Sequence, residues 1–449
     1  MSTSTISKYR PILIILILIV ILVATLAVYY YSITPTTSPS PTPETSPTTP
    51  PQKVRVKIGL IFPLSGAFAQ FGQDTLNGAL VALEMFKQKQ ILPDVEIEYV
   101  VADARSDPAV AASEAERLIT VEGVQAILGT YGGSLAMAIA TVAEKYGVPY
   151  FELTAAPNAL TINASRRWVF RFGPAGLFYG YSAVDFLVYF ANKMGWDLKN
   201  MKIAVVHEDS AYGTSCGDGD VERLEYYGLS YVTRERYSAA TTDLSSLITK
   251  LKGLGVEVVL ITSYANDAIL FLRQSYELGF KPKIIIGHSA GYELPATAQA
   301  VGELINGVFV VAVNPFAIRT EFMAPEVYQE FQEFIQYYRT KFGADPAGWA
   351  FKSFTATYHV FLKQVIRIAH EKYREITPET IRLSFLEVDL PANATFMGFG
   401  VKFAPPNHPW SGENLAAAQH PVLEWIDGKM YAVWPESVAL REPVYIPRP

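Results

Sequence analysis

Residues 126–140, AILGTYGGSLAMAIA, run an apolar segment ending at Leu128 into Gly129, Tyr131, Gly132, Gly133 and Ser134, then into an Ala-rich stretch of helical character. Backbone N–H groups at a helix start have no partner within the helix and carry partial positive charge. Glycine lets a ligand approach them closely. A turn of this kind is suited to hold an anion, above all a carboxylate. Charge-assisted hydrogen bonds contribute about 1.5–3 kcal/mol each. Two or three of them, with apolar burial, reach the ~8 kcal/mol of a micromolar binder. The competing reading of GTYGGS is a tight strand-to-helix turn that holds nothing.

Other residues invite chemistry and carry less. GTSCG, Gly213 to Gly217, fits the G-x-S-x-G pattern of a serine nucleophile elbow around Ser215. That elbow needs its strand to run straight into the first glycine, and EDSAY intervenes here, so the stretch reads as a helix start and no enzyme is expected. Cys216 is the single cysteine, which excludes an intramolecular disulfide framework and any multi-cysteine metal site. Near a helix start its pKa would fall, but it reads as a small filler. His207 and His288 lie near strand ends and make no metal site without a third ligand. There is no HExxH and no GxxxxGK[ST], so no cofactor is expected and any ATP belongs to another chain. A net charge of −6 argues against nucleic acid as a partner.

The elements that position these residues follow from periodicity. With 449 residues, 50% hydrophobic and 18% charged, the chain predicts at least two lobes. VRVKIGLIF and VEIEYVVAD read as strands around a helical DTLNGALVALEMFKQKQ. Asp107-Pro108 starts a helix to about Thr120, an N-cap followed by proline. VQAIL, a helix over 136–146 and VPYF continue a β-α-β order that implies a parallel sheet covered on both faces.

The pattern restarts at MKIAVVHE and runs through a helix over 214–227, SYVTRERY, DLSSLITKLKG, VEVVLITS, a helix capped by Asn266 and ended by Gly279, and KIIIG. Later helices near 325–342, 346–372 and 378–386 return to the first lobe. FGVKF and HPVLEWIDGKMYAVWP read as a closing hairpin turning at Asp427-Gly428. The fold class is α/β, two doubly wound parallel-sheet lobes joined by a hinge that the chain crosses more than once. Lobe 1 is assigned 54–173 and 316–395, lobe 2 174–315 and 396–449.

Before the body, Ile12 to Tyr31 is nearly unbroken apolar sequence of bilayer-spanning length. Lys8 and Arg10 precede it and Glu44 is the only charge in the next twenty residues, which keeps residues 1–11 cytoplasmic and the body outside the cell membrane. Tyr29, Tyr30 and Tyr31 would sit at the outer interface. The alternative is a cleaved signal peptide, with Thr25 and Ala27 as small residues near a cut. Residues 32–53 are dominated by Ser, Thr and Pro and read as a spacer or an O-glycosylated stalk. The sequons at Asn163 and Asn393 fit an exported chain.

IGLIFPLSGAFAQFGQDTLNGALVALE, DARSDPAVAASEAERLI, AILGTYGGSLAMAIATVAEKYGVPYFELTAAP and VVHEDSAYG, in that order, resemble the extracytoplasmic substrate-binding proteins of branched-chain amino acid ABC transporters. These are the leucine/isoleucine/valine-binding proteins with a type I periplasmic-binding fold. The likeness spans about Val54 to Pro435, with GFGVKF and EWIDGK near its end. It implies that Gly132, Gly133 and Ser134 hold a ligand carboxylate, that Thr154 and Ala155 complete the cradle, and that Phe71 packs on the ligand. It further implies that Tyr212 and Tyr264 close from the second lobe. For the three aromatic residues the competing reading is ordinary packing.

The family position that often carries an acid for the ligand's α-ammonium falls at Ser289, where no acid stands; either Glu293, four residues on, or Glu152 or Asp209, near other strand ends, substitutes, or the ligand lacks an ammonium group. The implied function is capture of a small carboxylate solute, an amino acid first, by hinge closure, with ABC permease and ATPase subunits as partners. A sensory receptor of the same fold is the alternative, disfavoured because Met1 to Arg10 leaves no room for a cytoplasmic output domain.

Overall fold

The computed structural model describes residues 6–33 and 53–449, which fall into two units, an N-terminal helix and a body. Helix α1, Ile6–Ile33, starts earlier and ends later than the apolar run suggests. Its Ile14–Ile33 portion has a mean hydropathy of 2.7 and is long and apolar enough to cross a bilayer. The hydroxyls of Thr25 and Ser32 donate to helix carbonyls, to Ile21 O at 2.9 Å and Val28 O at 2.7 Å. Both hydroxyls are thus satisfied within the helix. Of the expected spacer, residues 34–52 lie outside the described residues.

The body's first sheet contains β1 Val54–Phe62, β2 Val95–Asp103, β3 Ala126–Gly129, β4 Tyr150–Glu152 and β5 Val169–Arg171, all parallel, in the order β2-β1-β3-β4-β5. Its helices are α2 Ala69–Gln88, α3 Pro108–Thr120 and α4 Gly133–Tyr146. Asp107 caps α3 as its sequence predicts, accepting from Ala109 N at 2.7 Å. Buried central strands need apolar residues on both faces. All four residues of β3, AILG, are accordingly buried.

The chain then crosses to the second lobe through α5 Gly176–Met194 and builds β6 Ile203–Glu208, α6 Ala211–Tyr226, β7 Tyr231–Tyr237, α7 Ser245–Leu254, β8 Val258–Thr262, α8 Ala265–Glu277, β9 Ile284–His288, α9 Ala290–Glu293, α10 Pro295–Val301 and β10 Val308–Val311. It returns for α11 Pro325–Phe342 and α12 Gly348–Thr355, which runs on through π-helical turns over Ala356–Ile366 into α13 Arg367–Glu371, followed by α14 Pro378–Phe385. A short antiparallel pair, β11 Asp389–Leu390 and β12 Val401–Lys402, precedes the last crossing. The hairpin β13 Val422–Ile426 and β14 Lys429–Trp434 completes the second sheet, ordered β14-β13-β10-β9-β8-β6-β7.

Three sequence expectations are corrected here. FGVKF forms β12 and pairs with β11 instead of joining the final hairpin. Residues up to Asn414 stay beside the first lobe, where Asn414 Nδ2 donates to Phe172 O at 3.0 Å, so the last crossing comes later than 396. Helix α8 starts at Ala265 with Tyr264 as its N-cap residue, so Asn266 lies inside the first turn.

Glycine controls one contact that the cleft depends on. A Cβ on Gly78 of α2 would stand 2.2 Å from Ala350 O of α12. Only a bare backbone lets the two helices lie this close, and that approach carries Trp349 and Lys352 of α12 to the cleft.

The second lobe also stores a pH-sensitive carboxyl. Asp267 is 1% exposed, accepts from the Tyr237 hydroxyl at 2.7 Å, and has no partner for Oδ1. Burial pushes its pKa up to about 7, above the usual carboxylate range. The native state therefore holds a proton that the unfolded chain releases near pH 4, and this group's contribution to stability is lost as pH rises toward and through 7. Asp267→Asn cannot ionise. Urea denaturation at pH 5 and pH 8 is expected to show the variant gaining on the parent at the higher pH; a constant difference would rule the proton out.

Candidate functional site

Helix α4 begins after a three-residue loop from β3, with Gly132 as its N-cap residue at φ 95°, a region that L side chains rarely adopt. Its first internal bond is Ala136 N to Gly132 O at 3.1 Å. The earlier N–H groups of Gly133, Ser134 and Leu135 therefore have no acceptor within the helix. A Cβ placed on Gly133 would meet Pro157 at 3.4 Å and Ala211 at 3.5 Å. Pro157 belongs to the first lobe and Ala211 opens α6 of the second, so Gly133 sits where the two lobes touch. Asn158 N donates to Ser215 Oγ at 2.8 Å across the same junction. The lobes are closed on each other.

Between them lies a small cavity of about 30 Å³ lined by Tyr131, Gly132, Gly133, Thr154, Ala155, Ala156, Tyr179, Tyr212, Tyr264, Ser289, Ala290, Trp349 and Lys352. Of the residues expected from sequence, Gly132, Gly133, Thr154, Ala155, Tyr212, Tyr264 and Ser289 come together here. Ser134 and Phe71 are not in its wall. Ser134 is exposed to solvent. Phe71 is 5% exposed and stacks behind Tyr131, ring centroids 4.5 Å apart and planes within 5°.

The second loop of the expected cradle is already committed to the protein. Glu152, fully buried at the end of β4, accepts from Thr130 N at 2.8 Å, Thr154 N at 2.8 Å and Ala155 N at 2.6 Å. Thr154 Oγ1 donates to Thr130 O at 2.6 Å. One carboxyl thus fastens the β3–α4 loop to the β4 loop. The amides of Thr154 and Ala155 are spent, and these residues shape the cavity while the α4 end supplies its amides. Burial pushes Glu152 up to about 7 against the pull of those hydrogen bonds.

From the second lobe, Ser210 caps α6 and accepts from Tyr212 N at 3.1 Å, which fixes Tyr212 in the first turn. The Tyr212 hydroxyl donates to His288 O at 2.7 Å, so its ring lines the cavity while its polar tip is satisfied. Tyr264 packs 5.9 Å from Tyr212 and 5.3 Å from Phe68 of the first lobe, centroid to centroid. Ser289 and Ala290 both take φ 37° at the end of β9, a region non-glycine residues occupy only where the surroundings hold them. Ser289 Oγ donates to Glu293 Oε2 at 2.9 Å.

Sequence reasoning missed Tyr131, Tyr179, Ala156, Ala290, Trp349 and Lys352. The signal for Lys352 was present: it is the one charge in the apolar run GWAFKSFTATYHVFL. It is 2% exposed, and its Nζ donates to the Tyr179 hydroxyl over a long 3.4 Å. Burial works against its charge, but the facing Tyr179 and Glu293 hold its pKa above the ordinary lysine value.

The remaining sequence signals take structural positions. Ser215 and Cys216 lie inside α6, not at a strand-to-helix elbow, and Ser215 Oγ donates to Ala211 O at 2.6 Å. Burial drives the Cys216 thiol well up, which opposes thiolate formation. His207 Nδ1 lies 2.9 Å from Glu208 O, whereas His288 Nε2 lies 3.1 Å from Asp220 Oδ1. Among the described residues no group of three His, Cys, Asp or Glu is placed to hold a metal ion.

A family model described as "Periplasmic binding protein" matches residues 55–409. The chain belongs to the periplasmic binding protein family. A Leu/Ile/Val-binding protein homolog of Brucella abortus is 35% identical over 394 residues, covering 87% of this chain and 94% of that one. Among solved structures, a leucine-binding protein of Thermotoga maritima is similar with a TM-score of 0.68 at 22% identity, over 86% of this chain and 98% of its own. A branched-chain amino acid transporter substrate-binding protein of Streptococcus pneumoniae, solved with isoleucine, has a TM-score of 0.65 at 21% identity, over 85% of this chain and all of its own. The body is thus a type I periplasmic-binding fold, and this binding protein is a solute-binding receptor.

Proposed function

We propose that this binding protein captures a small carboxylate solute outside the cytoplasm and delivers it to an ABC permease driven by separate ATPase subunits. One observation carries the reading. The start of α4, whose first amides have no acceptor within the helix, lines a small interlobe cavity together with residues of both lobes. Such a seat stabilises a carboxylate by dipole and hydrogen bond together. Because Tyr212, Tyr264 and Ser289 belong to the second lobe, solute makes its full set of contacts only after closure, and this differential affinity is what shifts the protein to the closed form. The relatives' names favour amino acids as the first solutes to test. Helix α1 serves as a single-pass anchor on this reading, with the body on the extracytoplasmic face.

Titration calorimetry and thermal shift across amino acids and small organic acids are the tests. A stabilising solute is expected among them, and Tyr212→Ala is expected to weaken it by ~1–3 kcal/mol, the range for losing a buried aromatic contact. Tyr212→Phe, which keeps the ring and loses only the bond to His288 O, should lose much less. Equal binding by Tyr212→Ala and the parent would move the solute out of this cavity.

A further inference from the structure

The charges around the cavity narrow the solute class, given that the cavity is the solute site. Among the described residues that line it, Lys352 is the one formal cation and no carboxylate takes part. The acids behind the wall are largely occupied. Glu152 spends both oxygens on loop amides. Glu208 accepts from Ser210 N at 2.6 Å and Gly213 N at 2.7 Å. Glu293 does not line the cavity; its Oε2 is taken by Ser289 and its Oε1 has no partner. That free oxygen lies toward Gly348, 3.3 Å from where a Cβ on that residue would be.

Lys352 is in the opposite situation. A buried ammonium has three protons to donate. Here it finds a single hydrogen bond to protein, the long one to Tyr179. The titratable groups facing it are Tyr179, Glu293 and the buried His420, whose ring stays uncharged through burial and the nearness of Lys352 itself. Tyr179 and Glu293 keep it charged, yet two of its three protons have no acceptor in the protein and are left for a solute. It lines the same cavity that receives the amide dipoles of α4.

An amino acid fits these charges poorly. Its carboxylate suits either positive pole, but its ammonium would meet a cavity with a lysine in the wall and no lining acid, where like charges repel in a low dielectric. We infer that the solute is a carboxylate without an ammonium group, one that takes the α4 amides with one acceptor group and Lys352 with another. A 2-oxo or 2-hydroxy acid, or a second carboxylate, supplies such an acceptor.

Matched pairs in which an oxo group replaces the ammonium-bearing centre test this on the full chain in detergent: alanine against pyruvate, leucine against 4-methyl-2-oxopentanoate, phenylalanine against phenylpyruvate. The oxo acid of at least one pair is expected to bind at least about tenfold more tightly than its amino acid. In Lys352→Gln that preference should collapse, while the melting temperature without solute stays close to that of the parent. Lys352→Met, which keeps the length of the side chain, provides a second reading of the same loss. Tighter binding of the amino acids overturns the inference and leaves the receptor standing. A preference that persists in both variants also overturns it. No response to any of the six acids would count against the cavity as a solute seat and take both readings down.

Discussion

Arg171→Ala is expected to cost ~3–5 kcal/mol of stability, the loss typical of leaving one member of a buried ion pair without its partner. Arg171, at the end of β5, and Glu413 are both fully buried, with Arg171 Nε 2.9 Å from Glu413 Oε2. The guanidinium also donates to Pro157 O at 2.7 Å, and Glu413 Oε1 accepts from Ala175 N at 2.9 Å. These bonds tie the start of the first crossing between the lobes to the segment that precedes the last, and both to the loop that carries Pro157 against Gly133. Truncating the arginine strands a carboxylate where no water reaches it. The double variant Arg171→Met, Glu413→Gln removes both charges and keeps an acceptor for Ala175 N, so it should lose less than Arg171→Ala alone. Urea denaturation of the three proteins decides the matter; a loss below about 1 kcal/mol for Arg171→Ala would mean that the hinge does not rest on this pair.

Such a pair was invisible in the sequence, because Arg171 and Glu413 stand 242 positions apart and nothing local distinguishes them from surface charges. What periodicity and capping specify was legible: Asp107-Pro108 starting α3, the apolar β3 running into α4, and Asp427-Gly428 turning the last hairpin at φ 50° and 71°. Elements set by tertiary contact were not. Strand β5 has three residues, too few for a pattern. Helix α5 is buried along most of its length, so GLFYGYSAVDFLVYFANKM lacks a polar stripe to mark it.

The candidate site divides along the same line. Gly132 and Gly133 could be read because their chemistry is that of the backbone at a helix start. Phe71 could not be told from Tyr131: each is an aromatic residue beside the cleft, and only the stacking order shows which ring faces the cavity. Lys352 reaches the cavity because α12 lies against α2 at Gly78, a contact between segments far apart in the chain.

Gly133→Asp is expected to abolish solute-induced stabilisation while leaving the unliganded protein folded. Space for the Cβ exists, since its nearest neighbours would be Pro157 at 3.4 Å and Ala211 at 3.5 Å, ordinary contact distances. Gly133 is the first residue of α4, and a carboxylate there interacts favourably with the helix dipole, so the substitution has no reason to unfold the lobe. The same favourable interaction is what excludes the solute. The introduced carboxylate accepts from the amides a solute carboxylate would use, and it repels a second anion brought into the closed cavity. Losing two charge-assisted hydrogen bonds at about 1.5–3 kcal/mol each lowers affinity by two to four orders of magnitude. Gly133→Asn adds nearly the same volume without the charge and should retain part of the binding. A thermal shift with a solute that stabilises the parent separates the two variants. If Gly133→Asp were stabilised as strongly as the parent, the amides of α4 would not be the anion seat, and the carboxylate would have to be sought at Lys352.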